Sequence, residues 1–214
     1  IKRDKNQINL LSDVDLTWRE FNKSNIFYSK RKRFGIYVYG SVGTGKTFLL
    51  SLFSQYTKVA KKIHFNHLMK NVHDVINLNN DKEKKLESYI KDLSKEIKIL
   101  FIDELHIFNI VDALIIKKVF QLLEENDVFV MTSSNFKPDD LYKDGLQRAD
   151  FIPFVEHIKK NYELIHMYSD KDYRRIALNQ AKTYFTPINN DTKGEFLSLF
   201  KRLVDTDNLT TKII

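Results

Sequence analysis

Eight consecutive residues in the first quarter of the chain have the types and spacing of a phosphate-binding loop. They read Gly40, Ser41, Val42, Gly43, Thr44, Gly45, Lys46 and Thr47. The glycines let successive backbone N–H groups turn toward an anion without a Cβ in the way. In this pattern the lysine reaches the β- and γ-phosphates of a nucleoside triphosphate, and the threonine hydroxyl joins the magnesium shell. The sequence therefore predicts ATP and Mg2+ as ligands, with Lys46 in a catalytic role and Thr47 on the metal.

Two adjacent acids, Asp103 and Glu104, follow an apolar run at residues 97–102. Ligands of open α/β sheets bind beyond the carboxyl ends of the strands, so this pair is expected to face the same crevice as the glycine loop. We expect Asp103 to hold Mg2+ through a water molecule and Glu104 to orient or deprotonate the attacking water. A glutamate beside the magnesium aspartate also favours hydrolysis over the chemistry of small-molecule kinases. The alternative is a turn that carries two solvated acids.

A single amide, Asn135, ends the apolar run that begins at residue 128. At a strand end next to the acidic pair, a neutral amide can hold the lytic water between the γ-phosphate and Glu104. We therefore include Asn135 among the catalytic candidates. The alternative is that Asn135 only caps the turn before Pro138.

The elements that must position these residues are strands alternating with helices. Apolar and β-branched runs predict strands at residues 34–39, 62–65, 97–102, 128–131 and 164–168. Apolar residues at helical spacing predict helices over 47–60, 67–78, 79–95 and 110–125, and from the Pro138 turn to about residue 160. This alternation predicts an α/β fold of the P-loop NTPase type, a three-layer sandwich with a mostly parallel sheet covered on both faces.

Three segments are expected along the chain. Residues 1–30 are a polar lead-in segment with some helix, residues 31–180 form the P-loop domain, and residues 181–214 begin a small C-terminal lid. The apolar residues through which the lead-in can pack on the domain are Leu10, Leu11, Leu16, Trp18 and Phe21. The chain begins with Ile1 rather than Met, and we expect it to be a segment of a longer protein.

Composition limits the classes of function. Of the 214 residues, 43% are hydrophobic and 13% are aromatic, which is sufficient for a buried core. The absence of cysteine excludes disulfides, zinc–thiolate sites and thiol nucleophiles. No apolar run approaches the roughly 20 residues that span a bilayer. The formal charge of +7 is compatible with nucleic acid, nucleotides or an acidic protein surface, and it selects none of them.

Five runs, in this order along the chain, resemble one family of ATPases. They are residues 40–47, 101–104, 132–135, 138–148 and 151–154. Together they are similar to the ZapE cell-division ATPases and their mitochondrial relatives, the Afg-type (lactation-elevated) ATPases of the AAA+ superfamily. The most distinctive run is Asp-Leu-Tyr-x-x-Gly-Leu-Gln-Arg at residues 140–148. The resemblance covers about residues 34–204 and implies the AAA+ (ASCE) version of the P-loop fold.

The resemblance implies an ATPase that assembles into a homo-oligomer with nucleotide and remodels a protein partner. In bacterial members that partner is the tubulin homologue FtsZ in the cytoplasm. In mitochondrial members it is an inner-membrane protein, which gives the matrix as the alternative location and peripheral contact with the membrane as an option.

The resemblance also assigns a role to an arginine. Arg148 falls where AAA+ proteins carry an arginine finger, at the end of the helix after the sensor strand, and such a finger reaches the γ-phosphate of a neighbouring subunit. The alternative is a surface arginine paired with Asp144 or Asp150. Arg174 and Arg175 are further candidates for contact with nucleotide or a neighbour.

The chain departs from the family pattern at Leu105 and His106, where the family has an aromatic and then a polar residue after the glutamate. Two other functions remain open at this point. One is a nucleic-acid-remodelling AAA+ ATPase of the helicase-loader type, which suits the charge of +7. The other is a nucleotide-gated adaptor with negligible turnover.

Overall fold

The computed structural model describes residues 5–26, 33–77, 81–168 and 194. The described strands and helices belong to one compact unit that spans residues 1–170. The predictions for the lid at residues 181–214, apart from Gly194, and for Arg174 and Arg175 lie outside the described residues.

A parallel sheet of five strands forms the centre of this unit. The strands are β1 (Gly35–Gly40), β2 (Ala60–His64), β3 (Ile99–Asp103), β4 (Phe129–Ser134) and β5 (Tyr162–Met167). Their order in space is β2-β3-β4-β1-β5, and every neighbouring pair is parallel. All five predicted strands are therefore present. Since parallel strands end on the same edge of a sheet, the carboxyl ends of β1, β3 and β4 lie side by side.

Helices connect and cover the strands. They are α1 (Lys5–Ile26), α2 (Lys46–Thr57), α3 (Phe65–Asn77), α4 (Lys82–Glu96), α5 (Ile110–Glu125) and α6 (Arg148–Asn161), with a short 3-10 turn at Pro138–Asp140. Asn109 starts α5 by accepting a hydrogen bond from the backbone N–H of Asp112, at 2.8 Å, which is the usual cap for orphan donors at a helix start.

The two faces of the sheet are buried under different helices. Because side chains alternate along a strand, Ile36 and Val38 face α1 and α2, whereas Tyr37 faces the side covered by α3 to α6. Two apolar clusters result, one on each face. The predicted three-layer sandwich with a parallel sheet is confirmed.

The helix α1 packs directly on the sheet. Leu10 and Phe21 are buried against β1 and β4, and Leu11 and Trp18 are partly buried there, as predicted for the lead-in segment. The expectation for Leu16 is wrong because this side chain lies on the outer side of α1 and is 58% exposed.

Two boundaries differ from the sequence prediction. The strand β2 ends at His64, and Phe65 already belongs to α3, where its ring is buried. The segment after Pro138 does not form one helix: residues 141–147 make an irregular loop, and α6 begins only at Arg148. Positive φ angles at Tyr142 (52°) and Asp144 (59°) interrupt the helical path there.

Candidate functional site

The glycine loop joins β1 to α2 with backbone angles that favour glycine. Gly40 has φ 147° and Gly45 has φ 91°. A Cβ on Gly40 would lie 2.0 Å from the carbonyl oxygen of Met167 on the neighbouring strand, so no larger residue fits. Among the described residues, no side chain caps the start of α2 at Gly45. The N–H groups of that first turn and the positive end of the helix dipole can therefore bind a phosphate.

The ammonium group of Lys46 lies within the loop. Its Nζ donates hydrogen bonds to the carbonyl oxygens of Gly40 at 2.7 Å and Ser41 at 2.8 Å. It also donates to Oδ1 of Asn135 at 3.2 Å. Lys46 is 6% exposed. The structure thus brings together the loop lysine and the predicted sensor amide, which are 89 residues apart in sequence.

Asp103 is the last residue of β3, and its carboxylate meets the glycine loop. The hydroxyl of Thr47 donates to Asp103 Oδ1 at 2.7 Å. The same oxygen accepts a 2.6 Å hydrogen bond from the hydroxyl of Ser133 on β4. The other oxygen, Oδ2, forms an ion pair with Lys62 Nζ at 2.9 Å. Thr47 and Asp103, the two residues predicted to hold Mg2+, thus contact each other directly.

Opposing effects act on the pKa of Asp103. Its burial would raise the pKa, but the hydrogen bonds from Ser133, Lys62 and Thr47 together lower it below the ordinary value for an aspartate. The carboxylate is therefore ionised at neutral pH. An ionised oxygen next to a threonine hydroxyl is the donor set that Mg2+ prefers, so these residues fit a magnesium ion.

Glu104 follows directly after β3 and points away from the core. It has φ 56°, and its side chain is 63% exposed. The backbone N–H of Glu104 donates to Ser133 Oγ at 3.0 Å, which fixes the main chain. The carboxylate Oε2 lies 3.1 Å from Nε2 of His64, the last residue of β2. Glu104 therefore lies near the site, and its carboxylate is within hydrogen-bond distance of His64, a residue that the sequence analysis did not mark as functional.

Arg148 is the first residue of α6 and does not end a helix, contrary to the prediction. No helix ends at Arg148 because residues 141–147 form a loop in which the positive φ angles of Tyr142 and Asp144 interrupt the helical path. The guanidinium of Arg148 donates to the carbonyl oxygens of Leu141 and Asp139. These are its described partners, in place of the carboxylates of Asp144 and Asp150 that the alternative interpretation had named.

Three residues around Asp103 were not identified from the sequence as parts of the site. Ser133 donates to Asp103 Oδ1, Lys62 pairs with Oδ2, and Ser51 accepts a 3.0 Å hydrogen bond from Lys62. Lys62 lies inside a predicted strand and Ser51 inside a predicted helix, whereas Ser133 lies just beyond the strand predicted at residues 128–131. At all three positions a polar residue has many ordinary explanations. A usable signal for Ser133 was the two-residue period of a strand. Ser133 follows Phe129 and Met131 at that spacing, so its side chain lies on the same face of the sheet as Asp103.

The arrangement as a whole can bind an anion and a cation next to each other. The helix start and Lys46 supply positive charge, while Thr47 and Asp103 supply oxygen ligands at the adjoining strand end. Glu104 directly follows β3, and Asn135 directly follows β4.

Among the described residues, no helix is long and apolar enough to cross a membrane.

Comparison with known proteins identifies relatives over most of the chain. The family model of the AFG1-like ATPases matches residues 8–213. Cell division protein ZapE of Escherichia coli (strain K12) is 31% identical over 171 residues, which is 79% of this chain and 46% of that protein. Lactation elevated protein 1 homolog B of Danio rerio is 32% identical over 192 residues, which is 83% of this chain and 38% of that protein. The chain therefore spans less than half the length of these relatives.

Solved structures with the same fold are more distant in sequence. Domain III of the replication initiation protein DnaA from Thermotoga maritima has a TM-score of 0.58 at 14% identity, covering 96% of this chain and 86% of that one. The DnaC helicase loader has a TM-score of 0.53 at 16% identity, covering 78% of this chain and 92% of that one. At these identities the likeness concerns the P-loop AAA+ fold alone.

Proposed function

Since the chain belongs to the AFG1-like ATPase family, we propose that it binds ATP with Mg2+ and hydrolyses the ATP to ADP and phosphate. The observation that carries the proposal is the contact between the glycine loop and the strand ends. Thr47 Oγ1 lies 2.7 Å from Asp103 Oδ1, and Lys46 Nζ lies 3.2 Å from Asn135 Oδ1. Residues from three separate parts of the sequence thus converge on one crevice.

Binding of the triphosphate is the task of residues 40–47. The backbone N–H groups of the loop and of the first turn of α2 donate to phosphate oxygens. Lys46 exchanges its carbonyl partners for the β- and γ-phosphates. Its contact with Asn135 keeps the lysine at the end of β4, where the γ-phosphate is expected.

Thr47 and Asp103 are the residues that would hold the metal. When bound, Mg2+ neutralises charge on the phosphate oxygens and orients the γ-phosphate for in-line attack. Asp103 contributes because its carboxylate stays ionised and is held in place by Ser133.

Glu104 acts on the attacking water. Its carboxylate accepts a proton from that water as the oxygen bonds to the γ-phosphorus and the bond to the β–γ bridging oxygen breaks. Asn135 orients the same water through its side-chain amide. The side chain of Glu104 is exposed, and its carboxylate contacts the ring of His64. The side chain must therefore leave that contact to reach the attacking water.

Phosphate release by purified protein tests the proposal. Lys46→Ala is expected to weaken nucleotide binding because it removes the cation at the phosphates. Glu104→Gln is expected to retain nucleotide binding while turnover falls about 10²–10⁴-fold, the range for loss of a general base. The matched controls are Lys70→Ala and Glu96→Gln, since both side chains are exposed and lie on other helices. Equal turnover in the wild type and in both site variants would rule out hydrolysis at this site.

We further propose that hydrolysis drives remodelling of a protein partner. One relative is named a cell division protein, which supports a partner in cell division, and the family resemblance implies an FtsZ-like tubulin homologue in a bacterial cytoplasm. The alternative is an inner-membrane protein reached from the mitochondrial matrix, which the resemblance to the lactation-elevated ATPases implies; the fish relative carries that family name. Glu104→Gln protein loaded with ATP should retain purified FtsZ in a sedimentation assay, and Lys46→Ala protein should not. Retention that is independent of nucleotide would contradict a remodelling role.

Remodelling of nucleic acid is the second candidate, and the formal charge of +7 is compatible with it. In that case single-stranded DNA would bind with an affinity that falls steeply with salt, because counterions are released from phosphates. It would also accelerate phosphate release. DNA binding with both properties, and no effect of a protein partner, would favour this candidate over the first.

A further inference from the structure

A closed ring of three hydrogen bonds and one ion pair passes through the carboxylate of Asp103 and through Thr47, which contributes both its hydroxyl and its backbone carbonyl. Lys62 Nζ donates to Ser51 Oγ at 3.0 Å, and the Ser51 hydroxyl donates to the carbonyl oxygen of Thr47 at 2.6 Å. The Thr47 hydroxyl donates to Asp103 Oδ1 at 2.7 Å, and Asp103 Oδ2 returns to Lys62 at 2.9 Å. Three elements, β2, α2 and β3, are joined by this ring.

The position of Lys62 follows from the sheet register. Lys62 on β2 is paired with Phe101 on β3, so its side chain lies on the same face as Phe101 and reaches diagonally to Asp103, two residues further on. Its ammonium group lies 5.3 Å from the centre of the Phe101 ring. The side chain is 40% exposed, whereas that of Asp103 is 7% exposed. Lys62 therefore approaches the buried carboxylate from the solvent side.

The two oxygens of Asp103 have different partners. Oδ1 accepts from Thr47 and Ser133, both neutral hydroxyls, and Oδ2 pairs with the positive charge of Lys62. The same carboxylate has to stabilise Mg2+ at Thr47. A unit positive charge in contact with this carboxylate lowers the attraction of the carboxylate for a second cation. Because Asp103 is buried, little water screens the charge of Lys62 from that second cation.

We propose that Lys62 is a positioning residue that competes with Mg2+ for the carboxylate of Asp103 and sets the magnesium concentration at which nucleotide binds tightly. The proposal rests on the proposed function, since it concerns the same metal position. Lys62 contacts neither phosphate nor water in this role. Lys62 acts through Asp103 alone, and the hydrogen bond to Ser51 keeps the ammonium group of Lys62 at that carboxylate.

Magnesium titration of nucleotide binding tests the proposal without turnover. The affinity of the 214-residue protein for a fluorescent ADP is measured at increasing MgCl2 and constant ionic strength. Lys62→Met removes the charge and keeps an apolar stem over Phe101. We expect it to lower the magnesium concentration for half-maximal tightening about three- to tenfold, the size expected for removal of one partly screened charge. Lys62→Arg restores a cation and should return the value toward that of the wild type.

Two further variants serve as controls. Lys61→Met makes the same change on the neighbouring residue of β2, whose side chain points to the other face, and should leave the magnesium midpoint unchanged. Because every variant is measured with the same nucleotide, chelation of Mg2+ in solution is identical throughout. Ser51→Ala keeps the charge but frees Lys62 from α2, and should give a shift in the same direction as Lys62→Met but smaller.

The outcomes separate this proposal from the proposed function. An unchanged or higher magnesium midpoint in Lys62→Met, with normal wild-type binding, overturns the competition alone. Failure of Lys62→Arg to restore the midpoint also overturns it, because charge would then not be the cause. If the wild type binds ADP with no magnesium dependence at all, the proposed metal site itself is wrong and the competition is wrong with it.

Discussion

Asp103 illustrates how one buried carboxylate gains its properties from its neighbours. It accepts hydrogen bonds from Thr47 and Ser133 and pairs with Lys62, and these contacts together lower its pKa despite the burial that opposes ionisation. Ser133 is 1% exposed and has two roles, since its hydroxyl also accepts from the backbone N–H of Glu104. A single serine thus orients both acids of the candidate site.

At the residue scale we predict that Ser133→Ala lowers turnover about tenfold or more, the usual effect of losing a residue that orients a metal ligand. The variant should also lose about 2 kcal/mol in the free energy of unfolding, because a hydrogen bond to a charged group is removed. Steady-state phosphate release and urea unfolding measure the two effects.

Ser134→Ala is the matched control for Ser133→Ala. Ser134 is equally buried, but it donates to the carbonyl oxygen of Leu105 and accepts from the N–H of Phe136, without contact to either acid. It should lose stability with little change in turnover once folded. If both variants lower turnover to the same extent, Ser133 acts only through stability.

At the scale of elements, the loop between the 3-10 turn and α6 is held by its own backbone and side chains. The hydroxyl of Tyr142 donates to the carbonyl oxygen of Leu146 at 2.8 Å, and Arg148 donates to the carbonyl oxygens of Leu141, the first loop residue, and Asp139 in the 3-10 turn. Gly145 lies against the ring of Tyr142, which is 5% exposed. The distinctive string of residues 140–148 therefore builds a compact loop that fixes Arg148.

We predict that Gly145→Ala destabilises this loop. A Cβ would lie 2.3 Å from the Tyr142 ring, and the ring cannot move freely because it is buried and hydrogen-bonded. The expected cost is about 1–3 kcal/mol in the free energy of unfolding, as for overpacking elsewhere in proteins. Thermal or urea unfolding measures it.

Gly194→Ala is the control for Gly145→Ala, since no atom of the described residues lies within 4 Å of the added Cβ, apart from its chain neighbours and its own helix, and the residue is helical and exposed. That substitution should be neutral or slightly stabilising. Equal stability of both variants would mean that the loop accommodates a methyl group and is less tightly packed than the contacts indicate.

At the scale of the whole molecule, the order of the strands in the sheet decides which strand ends lie next to each other. With β1 between β4 and β5, the glycine loop emerges next to the end of β4, and the end of β3 follows. Nearly all of the proposed chemistry thus belongs to one edge of one sheet. Arg148 is the exception, because its described contacts are within its own loop. A finger role requires that it leave those contacts and reach a second copy of the chain.

Mixing two inactive variants tests that role. Arg148→Ala retains both acids, and Glu104→Gln retains the arginine. If Arg148 acts on a neighbouring subunit, a mixture should recover part of the activity that each variant lacks, since a finger is worth ~10³–10⁵ in rate. Phosphate release is measured across protein concentrations, and recovery should grow with concentration. No recovery at any ratio would leave Arg148 as a structural residue of its own loop.

The sequence alone determined the parts of this protein whose physics is local. The glycine loop, the acidic pair and the sequence of strands and helices depend on neighbouring residues, on backbone freedom and on side-chain periodicity. These features were sufficient to predict the parallel sandwich and to name Lys46, Thr47 and Asp103 as candidates, which the structure brings close together. The boundaries were less certain, as at Phe65 and Arg148, because packing and positive φ angles decide where a helix begins.

Only the tertiary structure decided which side chains meet. Lys62, Ser133 and His64 reach the acidic pair because β2 and β4 flank β3 in a defined register, and strands adjacent in space need not be adjacent in sequence. A shift of one residue would turn each of these side chains to the opposite face of the sheet. The partners of Asp103, and therefore the lowered pKa of its carboxylate, depend on long-range pairing that no local pattern contains.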